Sequence, residues 1–401
     1  MRQTLLARSI ACALLGAAAS AAQAVSFTQN DITLDINGTV NGYYVYRDAE
    51  TTTRATGASV KSTNSALTNG LLPGWINFVA TTRVNDLDIK AHVSFAPGVN
   101  SNSQVIGLPI GNNAGGAGTT NPYSQIDTRN LYFQFGNDSW GTLKLGRDIG
   151  LFGQNIILSD MTLIGVGGTT NAGIPYNTTF GMIGHGYMYT GFQPQITYTT
   201  PKLGNGFSAS AGIFQPSKFA GDETKAPGFQ AIASWDWQGA APGKVWGGLV
   251  TQSTSCSTGS VCASKSFSAN GQELGVKVGS GNFEAVGYVF RGDGLGLSTV
   301  GAQFFGGASA TGVRVKSDGH FLQGTYKINA TKLGLNYGQN RDKDGGMAGD
   351  IKNKAFTFGV YHALNKYITL VGEINHEKIT DDNAGTDTKN NSLSLGGIIF
   401  F

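Results

Sequence analysis

The connections along this chain sort themselves by parity. Sixteen segments alternate apolar and polar residues with period two: 31–47, 74–83, 86–96, 126–136, 140–147, 192–200, 206–215, 228–237, 243–252, 271–279, 282–291, 319–327, 330–339, 353–362, 366–376 and 390–401. Successive side chains of a strand point to opposite faces, so each segment predicts a strand with one apolar face. Short links alternate strictly with long ones. The short links include Val84-Asn85, Ser280-Gly281, Ile328-Asn329 and Leu364-Asn365. Gly, Asn, Asp and Pro in such links supply the dihedrals of tight turns. The long links are 48–73, 97–125, 148–191, 216–227, 253–270, 292–318, 340–352 and 377–389. A soluble sandwich has no reason to sort its links this way. A barrel closed across a membrane does, because its turns are short on one side and its loops long on the other. The expected class is all-β: a transmembrane antiparallel up-and-down β-barrel of 16 strands, with short periplasmic turns and long extracellular loops.

The first segment shows the pattern. Ile32, Leu34, Ile36, Val40, Tyr44 and Tyr46 share one face, while Thr33, Asp35, Asn37, Thr39 and Asn41 share the other. In lipid every backbone N–H and C=O must pair, so a sheet has to close on itself. The outward face needs apolar side chains, and the inward face can be polar over a water-filled lumen. Composition follows from this. The 401 residues include 59 Gly, about twice average usage, and 13% are charged, about half of it. Mean hydropathy is −0.09, near zero. Aromatics at 10% exclude a disordered chain. Trp75, Trp140, Trp235, Trp237 and Trp246 fall near strand ends, where an interfacial aromatic belt is expected.

Residues 1–24 read as a secretory signal peptide: Arg2 and Arg8, an apolar stretch from Ile10 to Ala19, and the small-x-small site Ala22-Gln23-Ala24. The mature barrel is then 25–401. Arg2 and Arg8 leave with the signal, so 26 basic residues face 25 acidic ones. Such a balance supports no nucleic-acid partner. Cys256 and Cys262 sit in a Ser/Thr/Gly-rich long link. In an oxidising compartment a small loop-tip disulfide is expected there. A metal pair is the alternative, but no His or acid lies nearby to complete a site.

Four stretches resemble the Gram-negative trimeric porins. They are Asp35 to Tyr43, Arg129 to Gly136 with Trp140 to Arg147, Gln195 to Ser210, and the terminal Ile399-Phe400-Phe401. The resemblance covers the mature chain. It implies a water-filled channel in the outer membrane of a Gram-negative bacterium, a homotrimer that passes small hydrophilic solutes and ions by diffusion. It also implies that the third long loop, 148–191, folds into the lumen as a constriction. Loop acids would there face basic wall residues. Arg129 matches a wall arginine of that cluster, and Arg147 matches the arginine at the loop base. Phe401 resembles the signal read by the barrel-assembly machinery. Membrane lipid and lipopolysaccharide are further expected partners, and no cofactor or metal is implied.

The chain departs from the family pattern. Thr39 stands where a first-strand lysine is usual, and the second-strand arginine aligns with Trp75 or is displaced to Arg83. The loop carries only Asp148 and Asp160 as acids among apolar residues such as Phe152, Ile156, Ile157 and Leu163. A less polar constriction, suited to weakly charged or aromatic solutes, is the resulting expectation. Its candidate residues are Arg129, Lys144, Arg147, Asp148 and Asp160. Parity places Asp35, Asp88, Lys90, Asp236, Glu273, Lys277 and Glu373 on the lumen face as well, with mixed signs. A merely solvated wall is the plainer reading of each. No HExxH or GxSxG motif is present, so no enzyme is expected. The competing readings are an adhesin or structural barrel with a plugged lumen, and an outer-membrane hydrolase using His185.

Overall fold

The computed structural model describes residues 24–99, 126–169, 178–216, 222–256, 267–295, 314–344 and 349–401. Nearly all of the expected signal peptide, Cys262, and 170–177 of the third loop lie outside the described residues.

Sixteen antiparallel strands form one closed ring. They are β1 (Ile32–Thr53), β2 (Trp75–Val84), β3 (Leu87–Pro97), β4 (Leu131–Asn137), β5 (Gly141–Ile149), β6 (Phe192–Thr199), β7 (Phe207–Phe214) and β8 (Gly228–Trp237), followed by β9 (Gly243–Cys256), β10 (Phe267–Ser280), β11 (Phe283–Asp293), β12 (Val315–Ile328), β13 (Thr331–Asp344), β14 (Ile351–Ala363), β15 (Ile368–Asp381) and β16 (Thr386–Phe400). Each strand pairs with its neighbours in sequence, and β1 closes the ring on β16 from Thr39↔Phe400 to Thr53↔Thr386. Two reciprocal backbone bonds finish the seam: Gly38 N–H to Phe401 O at 2.8 Å, and Phe401 N–H to Gly38 O at 3.0 Å. Closure leaves no strand edge unpaired in lipid.

The alternation sorts inside from outside. On β16, Leu393, Leu395, Ile399 and Phe401 face outward and are exposed, while Asn390, Ser392 and Ser394 face inward and are buried. On β15, Leu370 and Ile374 point out, and Thr369, Glu373, Asn375 and Glu377 point in. The tight turns carry the residues the sequence predicts there, with positive φ at Asn85, Asp86, Gly281 and Asn329.

Two expectations are corrected. The strands run past their predicted outer ends, and the long link 48–73 contains a strand of its own, Ser59–Thr68, paired with the upper half of β1. Above the membrane both faces of a strand meet water, so the ladder continues where apolar alternation stops. The aromatic belt is also smaller than predicted. Trp140 and Trp235 are exposed on the outward surface, but Trp75 and Trp246 face inward and are buried.

The loop between β5 and β6 packs on the inward faces of the far strands. A short helix, Gln154–Ile157, and a 3-10 turn, Met161–Ile164, give it local order. Phe152, Ile156, Phe180, Met182, Tyr187 and Met188 form one apolar core with the wall residues Trp246, Val250, Tyr288, Phe290 and Phe321.

Candidate functional site

A loop held inside a barrel must find partners for its backbone donors. The wall supplies them. Glu273 accepts from Gly153 N–H at 2.9 Å and from the Tyr288 hydroxyl at 2.8 Å. Glu373 accepts from Val166 N–H at 2.8 Å, Gly167 N–H at 2.7 Å and the Tyr361 hydroxyl at 2.7 Å. Gln230 takes Leu151 N–H, Gln323 takes Met161 N–H, and Asn340 takes Gly186 N–H, all within 2.9 Å. Tyr43 reaches the other way and donates its hydroxyl to Ile164 O at 2.7 Å. The expectation that Glu273 and Glu373 line an open channel is therefore corrected. Both face inward, but the loop covers them and they serve as its anchors.

Asp160 is corrected in the same sense. It is buried within the loop and accepts from Thr162 N–H (2.9 Å), the Thr162 hydroxyl (2.8 Å) and the Tyr187 hydroxyl (2.7 Å). Burial pushes its carboxyl above the ordinary range, and these donors pull it back. Its charge is spent on the loop's own shape rather than shown to a passage.

The opposite wall, β2 to β6, carries Lys90, Lys144 and Arg147, with Arg129 just ahead of β4. Arg129 lies over the ring of Trp75 at 5.4 Å and that of Phe192 at 5.6 Å, and its Nε donates to Asp127 at 3.2 Å. Trp75 and Phe192 meet edge to face at 5.6 Å. Lys90 and Lys144 sit over Tyr132 at 5.5 and 5.4 Å. Lys144 is ion-paired with Asp148, which also accepts from Asn130 at 2.8 Å. Arg147 shares the alternation of Leu143 and Leu145, yet it donates to the Phe192 carbonyl at 2.7 Å and borders the same recess as Arg129. Here β5 and β6 turn into the loop, and Ile149, two residues on, is already in its core.

Arg129, Lys144, Arg147 and Asp148 are thus brought together, and Asp160 is not. The remaining predicted wall residues sit in local pairs. Asp88 meets Arg83 at 3.1 Å, Asp236 meets Lys202 at 2.7 Å, and Lys277 meets Glu284 at 2.9 Å. Asp35 accepts from Ser26 in the hairpin that Val25–Gln29 makes with the foot of β1. Ring residues were under-read in the sequence. Trp75, Tyr132 and Phe192 shape this wall; inward parity was the available signal for Trp75 and Tyr132, while Phe192 shares the alternation of the exposed Ile196 and Tyr198.

A recess of roughly 1090 Å³, partly open to solvent, lies between wall and loop. Asn77, His92, Arg129 and Arg147 border it on the wall side, and Leu158, Leu163 and Phe180 on the loop side. Among the described residues, the indole N–H of Trp75 has no acceptor. His185, the residue a hydrolase would use, is fully buried with Glu377 Oε1 3.8 Å away. Burial lowers its basicity below that of ordinary imidazole.

The Gram-negative porin family model matches residues 11–383. The outer membrane channel DcaP of Acinetobacter baumannii superposes with a TM-score of 0.65 at 15% identity, over 94% of this chain and 100% of that one. An anion-selective porin from Comamonas acidovorans gives 0.56 at 17% identity, over 92% and 100%. OmpT of Vibrio cholerae in its trimer form gives 0.54 at 15% identity, over 93% and 100%. A search of curated protein sequences found no match. The structural likenesses show the shared barrel, the family match spans nearly the whole sequence, and fold and family together fit a channel rather than an enzyme. The chain belongs to the Gram-negative porin family and forms an outer-membrane channel for passive diffusion.

Proposed function

We propose that solutes pass beside the in-folded loop, through the recess between its apolar edge and the β2–β6 wall, and that this passage favours weakly charged or aromatic solutes. One observation carries the reading: Arg129 lies over the rings of Trp75 and Phe192 on the border of the recess. A strong transverse field needs loop acids facing wall cations across water. Here Asp160 is turned into the loop, and Lys144 and Asp148 neutralise each other on one strand. What remains is a surface of ring faces on which Arg129 is stacked, with Arg147 on the same recess and Lys90 over Tyr132, and it attracts flat apolar groups through dispersion and the ring quadrupole.

Planar-bilayer recordings of the refolded protein test this. The expected result is measurable conductance with weak discrimination between K⁺ and Cl⁻ in reversal potential. Liposome swelling should favour a phenyl glycoside over what its size predicts from glucose. Arg129→Ala should reduce that preference about threefold, the equivalent of the roughly 0.5–1 kcal/mol of a cation–π contact. Strong selection by charge alone would overturn the reading, and absence of conductance would favour a plugged structural barrel. Self-association into a homotrimer belongs to the same proposal, supported by the trimer form of the Vibrio neighbour. Electrophoresis of unboiled protein checks it.

A further inference from the structure

The lumen face of β9 to β13 is rich in lysine at the end that carries the short turns. Lys244 shares the parity of the buried Trp246 and Val250, and Lys327 shares that of the buried Gln323 and Thr325. Lys277 takes the parity opposite to the outward Leu274 and Val276, and Lys332 the parity opposite to the outward Leu335. Strand register sets these lysines in two pairs, each directly opposite its mate: Lys244↔Lys277 and Lys327↔Lys332. Like charges so placed destabilise a sheet unless something offsets them. The first pair has its offset. Asp236 lies 3.5 Å from Lys244, and Glu284 lies 2.9 Å from Lys277. The second pair has no acid of its own. Glu284, on the adjoining strand β11, is engaged by Lys277, and among the described residues neither Lys327 nor Lys332 has an ion-pair partner. The ammonium of Lys332 lies 4.9 Å from the centre of the Tyr361 ring, a contact that positions the charge without cancelling it.

The place of this second pair says what it can meet. Lys327 is exposed and Lys332 is partly so. One step deeper on β13 the in-folded loop reaches the wall, since a Cβ on Gly334 would lie 2.3 Å from Met161 Sδ. The two ammoniums therefore stand between the loop and the turn that joins β12 to β13, outside the recess. Residues directly opposite in a sheet hold their Cβ atoms about 4.5–5.5 Å apart, which lets one tetrahedral oxyanion offer an oxygen to each lysine. The short-turn end of β2 and β3 has the reverse character. There Arg83 lies between Asp86 at 3.5 Å and Asp88 at 3.1 Å, so an anion is drawn to the lysine side.

We infer that Lys327 and Lys332 form a binding site for a compact dianion of the phosphate-monoester class, at the short-turn mouth of the channel. The inference does not depend on which solutes the recess favours. The probe is methyl phosphate, which has no ring for the recess to hold. Its binding to refolded protein in detergent is followed by phosphorus NMR line broadening at about pH 8, where a monoester with a second pKa of about 6 is a dianion. K327Q/K332Q removes two charge-assisted contacts and should bind about tenfold more weakly than the parent. K327R/K332R keeps both charges and should stay within about threefold of the parent. Arg83→Gln, on the other wall, should bind like the parent. Lowering the pH to about 5 takes a charge from the probe and none from a lysine, so binding to the parent should fall severalfold. Unboiled electrophoretic mobility confirms that each variant is a folded barrel. Parent-like binding by K327Q/K332Q, an equal loss in K327R/K332R or in Arg83→Gln, or binding indifferent to the lower pH would each overturn the assignment.

Discussion

An inward carboxylate in a barrel can be satisfied by lumen water or by a donor carried to it. Glu373 takes the second course, accepting two consecutive loop amides and a tyrosine hydroxyl. Hydrogen bonds to a charged group contribute about 1.5–3 kcal/mol each, and a buried donor left without its acceptor loses its hydration as well. Glu373→Ala strands all three donors and should cost roughly 3 kcal/mol or more. Glu373→Gln keeps an oxygen for the two amides and should retain most of that. Urea unfolding compares the two. Single-channel recordings should show added current noise for the alanine variant alone, because the loop has lost its clamp. The neighbouring Gly165 belongs to the same device. A Cβ there would lie 2.0 Å from Glu373 Oε1, so only glycine lets the carboxylate reach past to the next two amides.

At the scale of the element, the loop behaves as a small core enclosed by the barrel. Phe152 sits at its centre, fully buried among loop and wall side chains. Removing a buried phenylalanine side chain costs about 3–5 kcal/mol. The ladder of the sixteen strands does not depend on that side chain, so Phe152→Ala should still migrate as a folded barrel without boiling. Its loss should appear instead as higher conductance and a less steady current. Unchanged conductance would show that this core does not hold the loop. The strands were legible in the sequence because lipid on one side and the lumen on the other impose period two, and every predicted strand has its counterpart. Their outer ends were not, because water on both faces removes that constraint from stretches such as Thr386 to Lys389. Among candidate site residues, Arg129, Lys144 and Asp148 came together as the loop-base position suggested. Glu273, Glu373 and Asp160 did not line a passage. Parity reports which face a side chain is on, and it is silent on whether water or another segment lies there. Trp246 was misplaced for a related reason, since an indole suits a membrane interface and a packed interior equally well.

At the scale of the whole molecule, everything depends on one seam. Fifteen strand pairs join neighbours in sequence, but β1 and β16 must find each other across the length of the chain. Such long-range pairing is slow, because loop closure comes before contacts stabilise it. At its Phe401 end the seam and the neighbouring β2 crowd one glycine. Gly38 exchanges two backbone bonds with Phe401, and a Cβ on it would lie 2.0 Å from the Trp75 carbonyl and 2.8 Å from the Phe401 ring. Gly42 lies four residues, two repeats of the pleat, further along the same outward face, and a Cβ there would meet nothing within 4 Å. The two glycines separate packing from backbone flexibility. Both substitutions to alanine reduce the freedom of the unfolded strand alike, but only Gly38→Ala forces β1 away from β2 and β16. Overpacking of this kind costs roughly 1–3 kcal/mol. In refolding from urea into detergent, Gly38→Ala should give a smaller heat-modifiable fraction and an earlier unfolding midpoint. Gly42→Ala should match the parent or exceed it. If both variants fold alike, the seam tolerates more breadth than its geometry allows, and closure must be secured elsewhere along β1 and β16.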